Sequence, residues 1–190
     1  MLKPDYPIRT ERLLLRPLDA STDVDAVHAY QSREDVCRYI PYSPRSKEEV
    51  AERLASGPLR STLEEAGQAL GLAVVVRETD ELIGDLMLAW ISAEHRTGEL
   101  GYVINPDYQG HGYATEAVRA LFPLAFDQLG LHRVIARIDA RNDASARVLR
   151  RLGLRQEAHL LENEWFRGEW TDEIDFAILA AEWRAGQASA

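Results

Sequence analysis

The chain has 190 residues, of which 46% are hydrophobic and 28% charged, and its formal net charge is −9. These values predict one globular domain, residues 1–190, with a sizeable core. They argue against a nucleic-acid partner, which needs a basic surface, and no long uncharged apolar run predicts a membrane span. One cysteine and five histidines without H-x-x-x-H spacing predict no protein-bound metal. We therefore expect a cytoplasmic protein, whose acidic balance also suits an amine-bearing substrate.

The first half of the chain predicts a strand, two helical regions and a hairpin. In chain order they are a strand at 12–18, a helix capped by Ser21 or Thr22, a helical region at 46–65, and paired strands at 70–77 and 82–90. Ser46 and Glu49 form the capping-box pattern that starts a helix. Gly57-Pro58 interrupts that helical region, because proline cannot continue a helix.

The second half of the chain alternates strands with helices and ends in a further pair of strands. The elements are strands at 100–104 and 133–138, helices at 115–128 and 144–152, strands at 156–166 and 171–179, and a short helix at 180–185. Gly153 follows the second of these helices as a C-terminal glycine cap. The pattern predicts an α/β (α+β) domain on a mixed, mostly antiparallel sheet with helices between some strands.

A glycine turn, residues 109–114, connects a buried strand to the helix at 115–128. Gly110 and Gly112 let the main chain approach a ligand closely, because they carry no side chain. The free N–H groups and the positive dipole end of the following helix meet at the turn. This geometry favours a phosphate or a pyrophosphate as the ligand.

The turn by itself allows other interpretations. A Walker phosphate loop is excluded, because no G-K-[ST] follows the glycines. The dinucleotide motif G-x-G-x-x-G is half matched, with Thr115 in place of its third glycine and Asp139 near the position of its ribose-binding acid. A turn that serves only to reverse the chain is the third interpretation.

The residues around the turn resemble those of the GNAT N-acetyltransferases. Gln109-x-x-Gly112-x-Ala114 matches their acyl-CoA pyrophosphate motif [QR]-x-x-G-x-[GA]. The segments that resemble the branch acetylating the N-termini of ribosomal proteins are 10–18, 100–104, 129–134, 140–154 and 164–172. The resemblance implies the GNAT fold: a mixed, mostly antiparallel sheet of about seven strands, splayed between the fourth and fifth and flanked by helices. It also implies acetyl-CoA as cofactor and CoA as product.

The resemblance assigns cofactor-binding roles to two neighbouring segments and to one asparagine. Main-chain groups of the strand would hold the pantetheine and those of the turn the pyrophosphate; the residues are Tyr102, Val103, Ile104, Gln109, Gly110, His111, Gly112, Tyr113 and Ala114. Asn142 would hydrogen-bond the cofactor or the substrate. Its position three residues before Ser145 also fits a simple helix N-cap.

Three residues are candidates for catalysis. Ser145 would contact the cofactor and donate a hydrogen bond to the departing thiolate. A carboxylate would accept the amine proton, directly or through water. Glu164 matches the glutamate of the ribosomal-protein branch, and Glu99 matches the strand glutamate of other GNAT subfamilies. We prefer Glu164, because the residues around it match as well, and the choice between the two stays open.

The acceptor must be a neutral amine when it attacks. At pH 7, deprotonating a lysine ammonium costs about 4.6 kcal/mol and deprotonating an α-ammonium about 1.4 kcal/mol. An α-amine is therefore the easier acceptor, and the resemblance to the ribosomal-protein branch implies the N-terminal α-amine of a protein or peptide. A small-molecule amine, such as an antibiotic, a polyamine or an amino-acid derivative, and a non-catalytic acyl-CoA-binding module are the alternatives. A homodimer is implied by the resemblance alone.

Overall fold

A single mixed β-sheet organises the computed structural model, which describes residues 1–188. Its strands are β1 (Ile8–Arg9), β2 (Leu13–Pro17), β3 (Leu59–Arg60), β4 (Ala69–Val76), β5 (Leu82–Ser92), β6 (Thr97–Ile104), β7 (Arg133–Asp139), β8 (Arg155–Phe166) and β9 (Glu169–Leu179). The α-helices are α1 (Val24–Gln31), α2 (Glu34–Cys37), α3 (Lys47–Ser56), α4 (Tyr113–Arg119), α5 (Asp143–Arg151) and α6 (Ala180–Ala188).

The strand order confirms the predicted sheet. It runs β1-β2-β4-β5-β6-β7-β9-β8, with β3 paired to β4 beside this path. Only the β3–β4 and β6–β7 pairs are parallel within the described residues. The seven strands of five or more residues agree with the expected number, and the remaining two, β1 and β3, have two residues each.

Two parallel strands in the middle of the sheet separate after a short contact. β6 and β7 pair only where Thr97–Glu99 faces Arg133–Ile135. Beyond that contact β6 stays paired with β5 as far as Ile104, and β7 stays paired with β9 as far as Asp139. The facing edges of β6 and β7 therefore form a V whose main-chain groups are free to bind a ligand. It lies between the fourth and fifth long strands, as expected.

Helices cover the two faces of the sheet at this V. Leu100 and Ile104 of β6 belong to the main core, together with Val118 of α4 and Leu149 of α5. Val103 points to the opposite face, since side chains alternate along a strand, and packs on the cluster built around Val27, Tyr30 and Val50 of α1 and α3. A ligand in the V can thus be contacted from both faces of the sheet.

The predicted helix starts had different outcomes. The Ser46 capping box is confirmed, since its hydroxyl accepts from the main-chain N–H of Glu49 and the Glu49 carboxylate accepts from the N–H of Ser46. The prediction of Ser21 or Thr22 as the cap of α1 is wrong, because Asp23 occupies that position. The Asp23 carboxylate binds the guanidinium of Arg16 through two contacts of 2.6 and 2.7 Å.

The helix predicted over 115–128 is divided. α4 ends at Arg119, and Pro123–Gln128 forms a wider π-helical segment. Pro123 has no main-chain N–H to donate, so the regular helical ladder is not maintained through it. The first residues of α4, which follow the glycine turn directly, are helical as expected.

Two further features concern residues 1–188 only. No three His, Cys, Asp or Glu side chains in this range are grouped so that they could hold a metal ion. Each helix of the range is too short or too polar to cross a lipid bilayer.

Candidate active site

The glycine turn has the conformation that close approach of an anion requires. Gly110 and Gly112 both have left-handed backbones, with φ of +83° and +80°. A side chain on Gly110 would meet no protein atom within 4 Å, so the space beside the turn is open. Because α4 begins at Tyr113, its first N–H groups point into this space. The turn therefore fits the predicted pyrophosphate.

Residues from two other parts of the chain hold the turn in place. The Gln109 amide donates to the carbonyl of Ile104 at 3.0 Å, which explains a glutamine at this position of the motif. The Arg12 guanidinium donates to the carbonyl of His111 at 2.9 Å and to Glu116 of α4 at 2.7 Å. Thr10 also donates to Glu116, at 2.6 Å.

The role of Arg12 was not predicted from the sequence. Its segment, 10–18, resembled the family, but nothing local shows that it contacts a turn about a hundred residues away. Arg12 also lies over the ring of Tyr113, 4.7 Å from its centroid, and that ring stacks on His111. Arg12 thus connects the turn to the first part of α4, because the guanidinium is shared between the His111 carbonyl and Glu116.

On the face of the sheet that α4 and α5 cover, Asn142 and Ser145 lie at the start of α5. Asn142 is the N-cap, and its side-chain oxygen accepts from the N–H of Ser145 at 3.0 Å. Its amide group can still donate to a ligand. The Ser145 hydroxyl lies 2.7 Å from the phenol of Tyr102, a contact that the sequence did not predict.

On the face of the sheet that α1 and α3 cover, the Glu99 carboxylate forms an ion pair with an arginine. Its two carboxylate oxygens accept from Arg137 of β7 at 3.2 and 2.9 Å, and 16% of its side chain is exposed. Both Glu99 oxygens already accept from this guanidinium, which competes with an incoming amine for them. The arrangement favours Glu164 over Glu99.

Glu164 has a second carboxylate beside it. It is exposed on β8 opposite Thr171, and Glu173 lies two residues further along β9 on the same face. Glu173 is only 7% exposed and accepts from the Asn163 amide at 3.2 Å. Burial, and next the nearby charge of Glu164, raise the pKa of Glu173.

The sequence analysis did not identify Glu173 as a site residue. An acidic residue that alternates with apolar ones on a strand normally lies on a solvated face. Its burial depends on the neighbouring strands β7 and β8, which pair with it at Asp139 and Leu160. No local signal separates it from an exposed glutamate.

The face of the sheet that carries these glutamates is acidic near the opening of the V. The carboxylates there are Glu99, Asp139, Glu164, Glu173 and Asp175, of which Glu99 and Asp139 are paired with Arg137 and Arg141. The neighbouring carboxylates of Glu164 and Glu173 favour a cation beside them. The tip of the β8–β9 hairpin is tied to α2 across this face by a 3.0 Å ion pair between Arg167 and Glu34.

The V between parallel strands, the open glycine turn and the contact between Tyr102 of β6 and Ser145 of α5 together fit an acyl-CoA-dependent acyltransferase. The Acetyltransferase (GNAT) domain model matches residues 12–155. The chain therefore belongs to the GNAT family and is an N-acetyltransferase that uses acetyl-CoA.

Relatives of this chain match it along nearly its whole length. The uncharacterized N-acetyltransferase YnaD of Bacillus subtilis is 35% identical over 176 residues, which are 93% of this chain and 98% of that protein. The crystal structure of a GNAT-family acetyltransferase from Bacillus anthracis is 33% identical, with a TM-score of 0.80, and covers 92% of this chain and 98% of its own.

Two more distant structures share the fold and were solved with CoA. One is RimL, a ribosomal L7/L12 α-N-protein acetyltransferase, at 21% identity, a TM-score of 0.78, and coverage of 91% and 97%. The other is the spermidine N-acetyltransferase of Vibrio cholerae with CoA and spermine, at 22% identity, a TM-score of 0.75, and coverage of 92% and 99%. These likenesses concern the fold alone. They do not separate the ribosomal-protein branch from other branches.

Replacing Glu173 with glutamine is expected to stabilise the protein near neutral pH, by about 0.5–2 kcal/mol. When folding raises the pKa of a carboxyl, the folded protein loses stability as the pH rises from the pKa of that carboxyl in the unfolded chain to its pKa in the folded protein. Glutamine removes that loss and still accepts from Asn163. Urea unfolding at acidic and neutral pH measures the effect, and the gain should be smaller in acid. An equal or lower neutral-pH stability of the variant would contradict the raised pKa of Glu173.

Proposed function

We propose that the chain transfers the acetyl group of acetyl-CoA directly to the N-terminal α-amine of a protein or peptide. The observation that carries the proposal is the carboxylate pair of Glu164 and Glu173 on the acidic face beside the V. It offers an incoming ammonium both an attractive charge and a proton acceptor.

The proton balance favours an α-amine over a lysine side chain. Glu164 is an exposed carboxylate that can accept a proton from an incoming amine. It can assist an α-ammonium, whose loss of a proton costs about 1.4 kcal/mol at pH 7, more readily than a lysine ammonium at about 4.6 kcal/mol.

The other predicted residues have separate tasks in this proposal. The main chain of Tyr102, Val103 and Ile104 pairs with the pantetheine, and the N–H groups of residues 109–114 hold the pyrophosphate. Asn142 donates its amide to cofactor or acceptor. Ser145 donates a hydrogen bond to the sulfur. The cofactor supplies an acetyl group activated as a thioester.

A polyamine is the second candidate acceptor. The carboxylates near the opening of the V favour it, because Glu164 and Glu173 lie side by side there and a polyamine carries several positive charges. The spermidine acetyltransferase of Vibrio cholerae shares the fold. The homodimer and the cytoplasmic location implied earlier remain predictions.

Release of free CoA from acetyl-CoA distinguishes these acceptors. The panel contains peptides that begin with Ala or Ser, the same peptides with a blocked N-terminus and one internal lysine, and spermidine. We expect kcat/KM for the free α-amine to exceed that for the lysine or spermidine by about 100-fold, in line with the difference in proton cost.

Each contrary outcome identifies another function. A preference for spermidine would replace the peptide acceptor with a polyamine. CoA binding without turnover of any amine would indicate the non-catalytic acyl-CoA-binding module. Mass spectrometry of N-terminal acetylation in cells with and without the gene would then search for the natural acceptor.

A further inference from the structure

A tyrosine and a serine on different elements share a hydrogen bond where the V opens. The phenol oxygen of Tyr102, on β6, lies 2.7 Å from the hydroxyl oxygen of Ser145, on α5. The phenol also lies within donating distance, 3.3 Å, of the main-chain carbonyl of Ser145, and its contact with the hydroxyl oxygen is the shorter of the two. Tyr102 packs against the core, so its ring is held by surrounding apolar groups. The two hydroxyls are thus fixed relative to each other.

We infer that Tyr102 is a positioning residue for the acetyl transfer: its phenol donates to the Ser145 oxygen, and the Ser145 proton is thereby directed at the sulfur of the bound cofactor. This inference rests on the proposed function, in which Ser145 donates to that sulfur. The sequence assigned only main-chain contacts to Tyr102.

The direction of the shared hydrogen bond decides what Ser145 can do. A serine hydroxyl has one proton, so it cannot donate to both Tyr102 and the sulfur. When Tyr102 donates, the serine oxygen accepts and its proton is free for the sulfur. A hydroxyl that accepts a hydrogen bond also becomes a stronger donor, because neighbouring hydrogen bonds polarise one another.

Tyr102 remains a donor at neutral pH. Burial raises the pKa of Tyr102 to about 12, although the hydrogen bond with Ser145 acts in the opposite direction. The phenol is therefore protonated throughout the pH range in which an α-amine is acetylated.

The electron and proton balance shows where this hydrogen bond acts. A bond forms between the amine nitrogen and the acetyl carbon, and the bond between that carbon and sulfur breaks. The electron pair of the broken bond stays on sulfur, and the amine proton goes to the carboxylate base. Ser145 stabilises the negative charge that develops on sulfur, and Tyr102 acts through Ser145.

The test compares Tyr102→Phe, Ser145→Ala and the double variant. Phenylalanine fills the same space, so folding should be retained. Tyr6→Phe is the matched control, because it also removes a phenol hydrogen bond, to the carbonyl of Ser61 at 2.8 Å, away from the V. We expect Tyr102→Phe to lower kcat about 10-fold with KM for acetyl-CoA unchanged, and Ser145→Ala to lower it about 100-fold. The double variant should match Ser145→Ala, because Tyr102 acts only through the serine.

A second measurement needs no acceptor. The pKa of the thiol of bound CoA is followed by the ultraviolet absorbance of its thiolate, with the complex of S-methyl-CoA as baseline because it cannot ionise. The hydrogen bond from Ser145 should lower this pKa in the wild type and in Tyr6→Phe. In Tyr102→Phe and Ser145→Ala it should return toward the value for free CoA.

The two measurements separate failure of the inference from failure of the proposed function. If no amine is acetylated by the wild type, the proposed function fails, and the thiol titration still decides the role of Tyr102. Unchanged kcat and unchanged thiol pKa in Tyr102→Phe would overturn the inference. So would single-variant effects that multiply in the double variant, since that would show independent action.

Discussion

Replacing Gly112 with aspartate is expected to weaken acetyl-CoA binding by at least about 100-fold, or about 2.7 kcal/mol. Gly112 has a φ of +80°, and forcing an L-residue into this left-handed conformation costs about 1–2 kcal/mol. The new carboxylate would also repel the pyrophosphate at the N-terminus of α4. Both effects act on the same turn and in the same direction. Isothermal calorimetry with acetyl-CoA measures the change.

A matched control separates binding from folding. Gly130 lies in the loop before β7 with a φ of +70°, and a β-carbon at this position would meet no protein atom within 4 Å. Gly130→Asp therefore introduces the same charge and similar strain away from the turn, and it should bind acetyl-CoA like the wild type. Wild-type affinity in Gly112→Asp would show that the turn does not hold the pyrophosphate.

Replacing Glu164 with glutamine is expected to lower kcat by about 100-fold, within the usual range for loss of a general base. Glutamine keeps the size and polarity of the side chain but cannot accept the amine proton. Affinity for acetyl-CoA should not change, because Glu164 lies on the acceptor face and not at the turn. Steady-state kinetics with a peptide acceptor and calorimetry with acetyl-CoA provide the two readouts.

The dependence of the rate on pH provides a second test of Glu164 as the base. A base works only when deprotonated, so the wild-type rate should fall in acid. Glu164→Gln should change this acidic limb, because an amide cannot gain or lose the proton of a carboxyl. Glu94→Gln, in the exposed turn between β5 and β6, removes one carboxylate without contact to the site. An unchanged kcat in Glu164→Gln would exclude it as the base and move the test to Glu99.

Features that depend on neighbouring residues in the chain were predicted well. The capping box at Ser46, the hairpin of β4 and β5, and the left-handed Gly153 after α5 all follow from local periodicity and backbone preference. The turn at 109–114 also has the expected shape, with left-handed Gly110 and Gly112 directly before α4. That it binds the pyrophosphate stays a prediction.

Features that depend on a partner far along the chain were not predicted. Arg12 reaches the turn only because its segment lies against α4 in the folded protein. Nothing in residues 10–18 indicates this contact, because its partner Glu116 is 104 positions away.

The sequence by itself determined the order of the long strands, the family resemblance and the position of the glycine turn, because each depends on residues close together in the chain. The helical region predicted over 46–65 ends at Ser56, and β3 follows it. Only the tertiary structure decided which side chains meet at the V. It placed Arg137 on Glu99, Glu173 beside Glu164, and Tyr102 on Ser145, forty-three positions away. Such contacts are set by strand register and by the angle at which β6 and β7 separate, and neither is encoded within a single segment.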